Sequence, residues 1–235
     1  MKKMYKRWKN TYNFMTQDYN LIDDIYSSIK DWDRVIFISR HAERWPNFWI
    51  EWWLTENWIN QARNLWKRLT WWKFKDTTND FYGSTDFKRT HQTSFYLWAS
   101  RWYPKFQNRE DWEDWQDYKE ILHPILVVEY DYFWMKVAHW YENNRELWNE
   151  KSLNLLSTVC NLTDWHNFSW ITTHDVIVIP LLARLSENNL KFEREKRVNY
   201  LSWIAIIVHE NGEYEVYPFR SLDETSMELT EWDDC

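Results

Sequence analysis

Three polar clusters in this sequence stand where apolar runs end. Arg40, His41 and Arg44 follow RVIFIS at 34–39, Arg89 follows NDFYGS at 79–84 by a few residues, and His174 with Asp175 follows FSWITT at 168–173. The inventory is three guanidiniums, two imidazoles and one carboxyl. A guanidinium fork matches phosphoryl oxygens bidentately, and the start of a helix adds N–H donors and a favourable dipole. The ligand this set fits best is a phosphoryl group.

For the clusters to act together, the elements that carry them must end on one rim. RVIFIS, NDFYGS and FSWITT have strand length and composition. Helical patterns follow the first two, from Thr55 to about Leu69 and over 86–100, and a third, DVIVIPLLARLSE, follows the last. TQDYNLIDDIYSSIKD, from Thr16, is a further amphipathic helix, and YLSWIAIIVHENGEYEVYPFR closes the pattern with a hairpin turning at Glu210, Asn211 and Gly212. Alternation of this kind predicts a three-layer α/β/α sandwich with a mostly parallel central sheet. In such sheets ligands bind at the carboxyl ends of the strands, so the three junctions can converge on one crevice. Between about 104 and 165 the alternation breaks, which predicts a helical insertion or lid within a single domain spanning 1–235. Its acidic stretch EDWEDWQDYKE, at 110–120, reads as a solvated helix face.

Composition narrows the class. The 235 residues carry 29 Lys and Arg against 36 Asp and Glu, a net charge of −7, with no basic tract of the kind that binds nucleic acid. No run approaches the apolar length of a membrane span, and the basic N-terminus lacks the apolar core of a signal peptide. The expectation is a soluble, cytoplasmic protein that binds neither nucleic acid nor membrane. Cys160 and Cys235 are too few and too far apart for a disulfide framework or a zinc site, and no metal or cofactor is expected. Oligomeric state is not readable.

One feature of the composition is unlike ordinary proteins: 21 Trp and 2 Gly. Average usage in a chain of this length gives roughly 16 Gly. Trp58 and Trp66 interrupt an otherwise amphipathic helix, and Trp102 stands where a helix should stop before Pro104, a place that favours glycine. The expectation is that many tryptophans are glycines in the native protein, written as Trp because UGA was translated by the wrong code.

RHAERWP, from Arg40 to Pro46, resembles the RHGxRxP signature of the histidine phosphatase superfamily, in its histidine acid phosphatase branch. LTENWINQARNLWKRL is similar to that family's LTxxGxxQxxxLGxxL, STDFKRTHQTS at 84–94 to its STDxxRTxxSA, and THD at 173–175 to its HD dipeptide, all in the family's order. Trp58 and Trp66 fall on family glycines. The resemblance covers roughly 33–104 and 165–220 and implies a phosphoglycerate mutase-like fold. It also implies that His41 is a nucleophile that becomes phosphorylated, that Arg40, Arg44, Arg89 and His174 hold the phosphate, and that Asp175 is the general acid. Ala42 stands at a family glycine, and Gly83 where acid phosphatases often carry another Arg. The implied activity is metal-independent hydrolysis of a small phosphomonoester. Alternatives are a mutase that returns the phosphoryl group to substrate, and a non-catalytic phosphate- or carbohydrate-binding protein. The other histidines, among them His91, His166 and His209, read as surface or satisfied core residues.

Overall fold

The apolar runs form strands, and the strands form one sheet. The structure, a computed structural model, describes residues 6–7, 25–42, 59–60, 62, 79–85, 87–102, 119–120, 145–174, 177–178, 181, 201 and 203–219. In chain order the elements are β1 (Lys6–Arg7), β2 (Arg34–Arg40), β3 (Asp80–Ser84), α1 (Lys88–Trp102), β4 (Lys119–Glu120), α2 (Arg145–Leu162), β5 (Phe168–Thr173), β6 (Trp203–Val208) and β7 (Tyr214–Phe219). The sheet order is β1-β7-β6-β2-β5-β3-β4.

The mostly parallel sheet expected from the sequence is not what forms. Of the strands with five or more residues, β2 and β3 run parallel to β5, but β6 runs antiparallel to both β2 and β7. The sheet is mixed because the C-terminal hairpin enters it as a unit and docks its first strand against β2. The hairpin turn is the expected one: Gly212 has φ 82, a left-handed conformation that suits glycine, and its N–H donates to the His209 carbonyl at 2.9 Å. Two-residue strands close the edges, β1 against β7 and β4 against β3, both parallel. Lys119 and Glu120 thus end the acidic stretch in a sheet contact rather than a solvated helix face; the rest of that stretch lies outside the described residues.

β5 and β6 are buried along their whole length and β2 from Val35 onward, so both faces of the central sheet are covered. On one face Val35, Phe37, Phe168, Trp170 and Trp203 pack with Ile25, Tyr26 and, from α1, Phe95, Tyr96 and Ala99. Phe37 is at its centre, stacked on Trp170 at 5.0 Å and edge-on to Trp203 at 5.1 Å, while the Trp170 Nε1–H donates to Ser39 Oγ at 2.9 Å. Each such side chain contributes about 1.5 to 3 kcal/mol by leaving water. Alternate residues Ile36, Ile38, Ile171, Ile204 and Ile206 are buried on the other face.

Helix α1 ends at Trp102, close to the stop expected before Pro104. Of the other expected helices only parts are described, and those parts are helical: 25–28, 59–60 with 62, and 177–178 with 181. At the N-terminal end of β2 a polar chain ties the layers together. His209 Nδ1 lies 2.8 Å from Asp33 Oδ2 and its Nε2 lies 3.7 Å from Glu215 Oε1. The Tyr217 hydroxyl donates to Glu215 Oε2 and lies 2.7 Å from Ser28 Oγ. No described helix is long and apolar enough to cross a membrane.

Candidate active site

The register of three parallel strands sets the site. Arg40 at the end of β2 pairs with Thr173 at the end of β5, and Ser84 at the end of β3 pairs with Thr172. The ladder continues for one more residue on each side: the His41 N–H donates to the Thr173 carbonyl at 2.7 Å, and the Thr85 N–H to the Thr172 carbonyl at 3.3 Å. His41, Thr85 and His174 therefore leave the sheet at one level. The rings of His41 and His174 meet edge to face, with centroids 5.2 Å apart. Arg89, in the first turn of α1, reaches back so that its NH2 lies 3.4 Å from His174 Nδ1, and its guanidinium sits over the Phe87 ring at 4.6 Å. Phe87 in turn stands edge-on to His174 at 4.9 Å.

His41 is buried, and its Nδ1 lies 2.6 Å from the Ala42 carbonyl oxygen. A carbonyl only accepts, so Nδ1 carries the proton and, in the neutral ring, Nε2 carries the lone pair. Burial holds the His41 pKa well below its ordinary value; the charges of Arg89, of His174 when it is protonated, and of Arg40 push it the same way, and the bond to Ala42 opposes them. The ring is therefore neutral at physiological pH. Neighbouring positive charge and burial both favour the neutral form of an imidazole.

The loop after β2 is held from two sides. The Ala42 N–H donates to Thr93 Oγ1 of α1 at 3.4 Å, and the Leu201 N–H donates to the His41 carbonyl at 3.4 Å. Leu201 does so at φ 55, a left-handed conformation that costs a non-glycine residue about 1 to 2 kcal/mol, and it is buried. Strain of that size clusters at functional sites. Nothing in the sequence marks Leu201, because a backbone N–H is the donor.

The structure thus brings Arg40, His41, Arg89 and His174 together at one rim. Arg44 and Asp175 lie outside the described residues. Among the described residues no three of His, Cys, Asp and Glu converge as metal ligands would.

Comparison with known proteins bears on the fold. The sequence matches no family model and no curated protein. Among solved structures, phosphoglycerate mutase from Bacillus anthracis is alike over 79% of this chain and 92% of its own, at 14% identity and a TM-score of 0.51. A mycobacterial glucosyl-3-phosphoglycerate phosphatase covers 80% of this chain and 99% of its own, at 12% identity and a TM-score of 0.47. Phosphoserine phosphatase from Entamoeba histolytica covers 81% and 98%, at 14% identity and a TM-score of 0.46. The fold is phosphoglycerate mutase-like.

Proposed function

We propose that this protein is a metal-independent phosphomonoester hydrolase of the histidine acid phosphatase type, working through a phosphohistidine. The observation that carries this is the His41 ring: neutral, proton on Nδ1, and set among Arg40, Arg89 and His174. The Nε2 lone pair attacks phosphorus in line, and the bond from phosphorus to the ester oxygen breaks. Asp175, next to His174 in the chain, gives its proton to the departing oxygen. Arg40, Arg44, Arg89 and His174 hold the remaining phosphoryl oxygens, whose charge they stabilise more strongly in a dry site than in water. In the second step the Asp175 carboxylate takes a proton from water as it attacks phosphorus, releasing phosphate and restoring His41. The substrate is a small phosphate ester, the substrate class such a rim of cations and one acid suits.

The experiment is phosphate release from an aryl phosphate and from a set of sugar, inositol and amino-acid phosphates, each assayed in parallel with and without chelator. Release at the same rate with and without chelator supports the proposal. Transfer of the phosphoryl group to a second hydroxyl compound without net release would make the protein a mutase, and no turnover of any ester would leave it a phosphate-binding protein.

A further inference from the structure

Two hydroxyls beneath His174 form a proton chain with only one possible direction. The Thr90 hydroxyl has one proton, and its oxygen lies 2.7 Å from the Phe87 carbonyl and 2.9 Å from the Thr85 carbonyl, both of which can only accept. That proton is therefore committed to a carbonyl. Thr90 Oγ1 also lies 2.9 Å from Thr85 Oγ1, and in that contact Thr85 must be the donor. With its own proton given to Thr90, the Thr85 oxygen faces His174 Nε2 at 3.2 Å as an acceptor. On the opposite edge of the ring Arg89 NH2, which can only donate, faces Nδ1 at 3.4 Å. Both neighbours demand the same tautomer, with the proton on Nε2 and the lone pair on Nδ1.

Resting on the phosphohistidine proposal above, we propose that Thr85 is a positioning residue, which, anchored by Thr90, takes the Nε2–H of His174, so that the second proton the ring takes up with a bound phosphate enters at Nδ1, on the Arg89 side, and donates to a phosphoryl oxygen. Thr85 and Thr90 are both buried, 2% and 0% exposed, so water does not compete for these bonds. They come from the two ends of one short connection, Thr85 directly after β3 and Thr90 in the first turn of α1. The chain therefore couples the orientation of His174 to the same helix turn that carries Arg89. Without the acceptor at Thr85 the imidazole is at liberty to flip or to leave Nε2 without its proton, and its two ring nitrogens then no longer serve Thr85 on one side and the phosphoryl group on the other.

The test compares Thr85→Val, which keeps the shape and loses the oxygen, with Thr85→Ser, which keeps the oxygen. The readout is the ring ¹⁵N spectrum of His174 at alkaline pH, together with turnover of an aryl phosphate. Wild type and Thr85→Ser are expected to show the Nε2–H tautomer and comparable kcat. Thr85→Val is expected to lose that signature and to drop kcat about 10- to 100-fold, the effect of leaving one buried polar group unpaired. A Thr85→Val protein with the wild-type tautomer and kcat overturns the proposal. So does a wild-type spectrum with the proton on Nδ1, which needs no variant to fold. The tautomer and the chemistry fail separately. If wild type turns over no ester yet Thr85→Val still loses the Nε2–H signature, the hydrolase proposal falls and the positioning role stands.

Discussion

Arg89 offers a sharp separation between holding the fold and doing the chemistry. Arg89→Ala removes a guanidinium that lies over Phe87 at 4.6 Å and 3.4 Å from His174 Nδ1. Those contacts are worth about 1 to 2 kcal/mol to stability, a long hydrogen bond and a half-exposed cation–π pair. At roughly 2 to 4 °C per kcal/mol for a chain of this size, Tm falls by a few degrees. Loss of one preorganised donor to a phosphoryl oxygen costs far more in the transition state, about 3 to 4 kcal/mol, or 10²- to 10³-fold in kcat. Steady-state kinetics on an aryl phosphate, well below the midpoint of thermal unfolding, measures this directly. A second signature is the pH profile. Arg89 is one of the charges that lower the His41 pKa, and in the proposed mechanism it is neutral His41 that attacks. Removing Arg89 raises that pKa, so the acidic limb of kcat/KM moves to higher pH. A loss of activity no larger than the unfolded fraction explains, or an unmoved acidic limb, refutes the role given to Arg89.

Three further outcomes are expected. His209→Ala leaves Asp33 and Glu215, each 7% exposed, without the imidazole between them; thermal unfolding should show a loss of about 1 to 3 kcal/mol, with phosphate release intact at low temperature because the His209 cluster sits at the opposite end of β2 from His41. Asp175→Asn should lose about 10²- to 10⁴-fold on an alkyl phosphate, whose alkoxide needs a proton, and much less on an activated aryl phosphate; equal losses on both would remove Asp175 as the acid. Peptide mass spectrometry of protein from the native host should find glycine at Trp32 and Trp165, which stand in turns 79% and 83% exposed. The same spectra should find tryptophan at the fully buried Trp170 and Trp203, where glycine would open a cavity costing about 3 to 5 kcal/mol. Tryptophan at all four positions would argue against the recoding.

What was legible in the sequence was local. β2, β3, β5 and the hairpin announced themselves as apolar runs bounded by turn residues, and the polar residues just past three of those runs marked the rim. The mixed sheet was not legible, because which strand the hairpin docks against depends on packing far away in the chain. Helix α1 concealed its role in the same way. Thr90, Gln92, Thr93 and Ser94 are polar in sequence, yet all four are buried. Thr93 Oγ1 bonds the Arg89 carbonyl at 2.7 Å and Ser94 Oγ bonds the Gly83 carbonyl at 3.0 Å, so satisfied hydroxyls stand where a hydropathy pattern expects water. His209, read as a surface or satisfied core residue, proved to be the latter. Leu201 had no signal at all, since its backbone conformation and not its side chain is what serves His41.

The central claim is that His41 Nε2 carries the phosphoryl group between donor and water. Rapid quenching of the protein with a radiolabelled aryl phosphate, followed by denaturation in alkali and peptide mapping, measures this in one step. The expected result is an acid-labile, base-stable label on the peptide containing His41, formed before phosphate is released and absent from His41→Ala, which does not turn over. Label on any other residue, or a His41→Ala protein that is still labelled and still active, contradicts it.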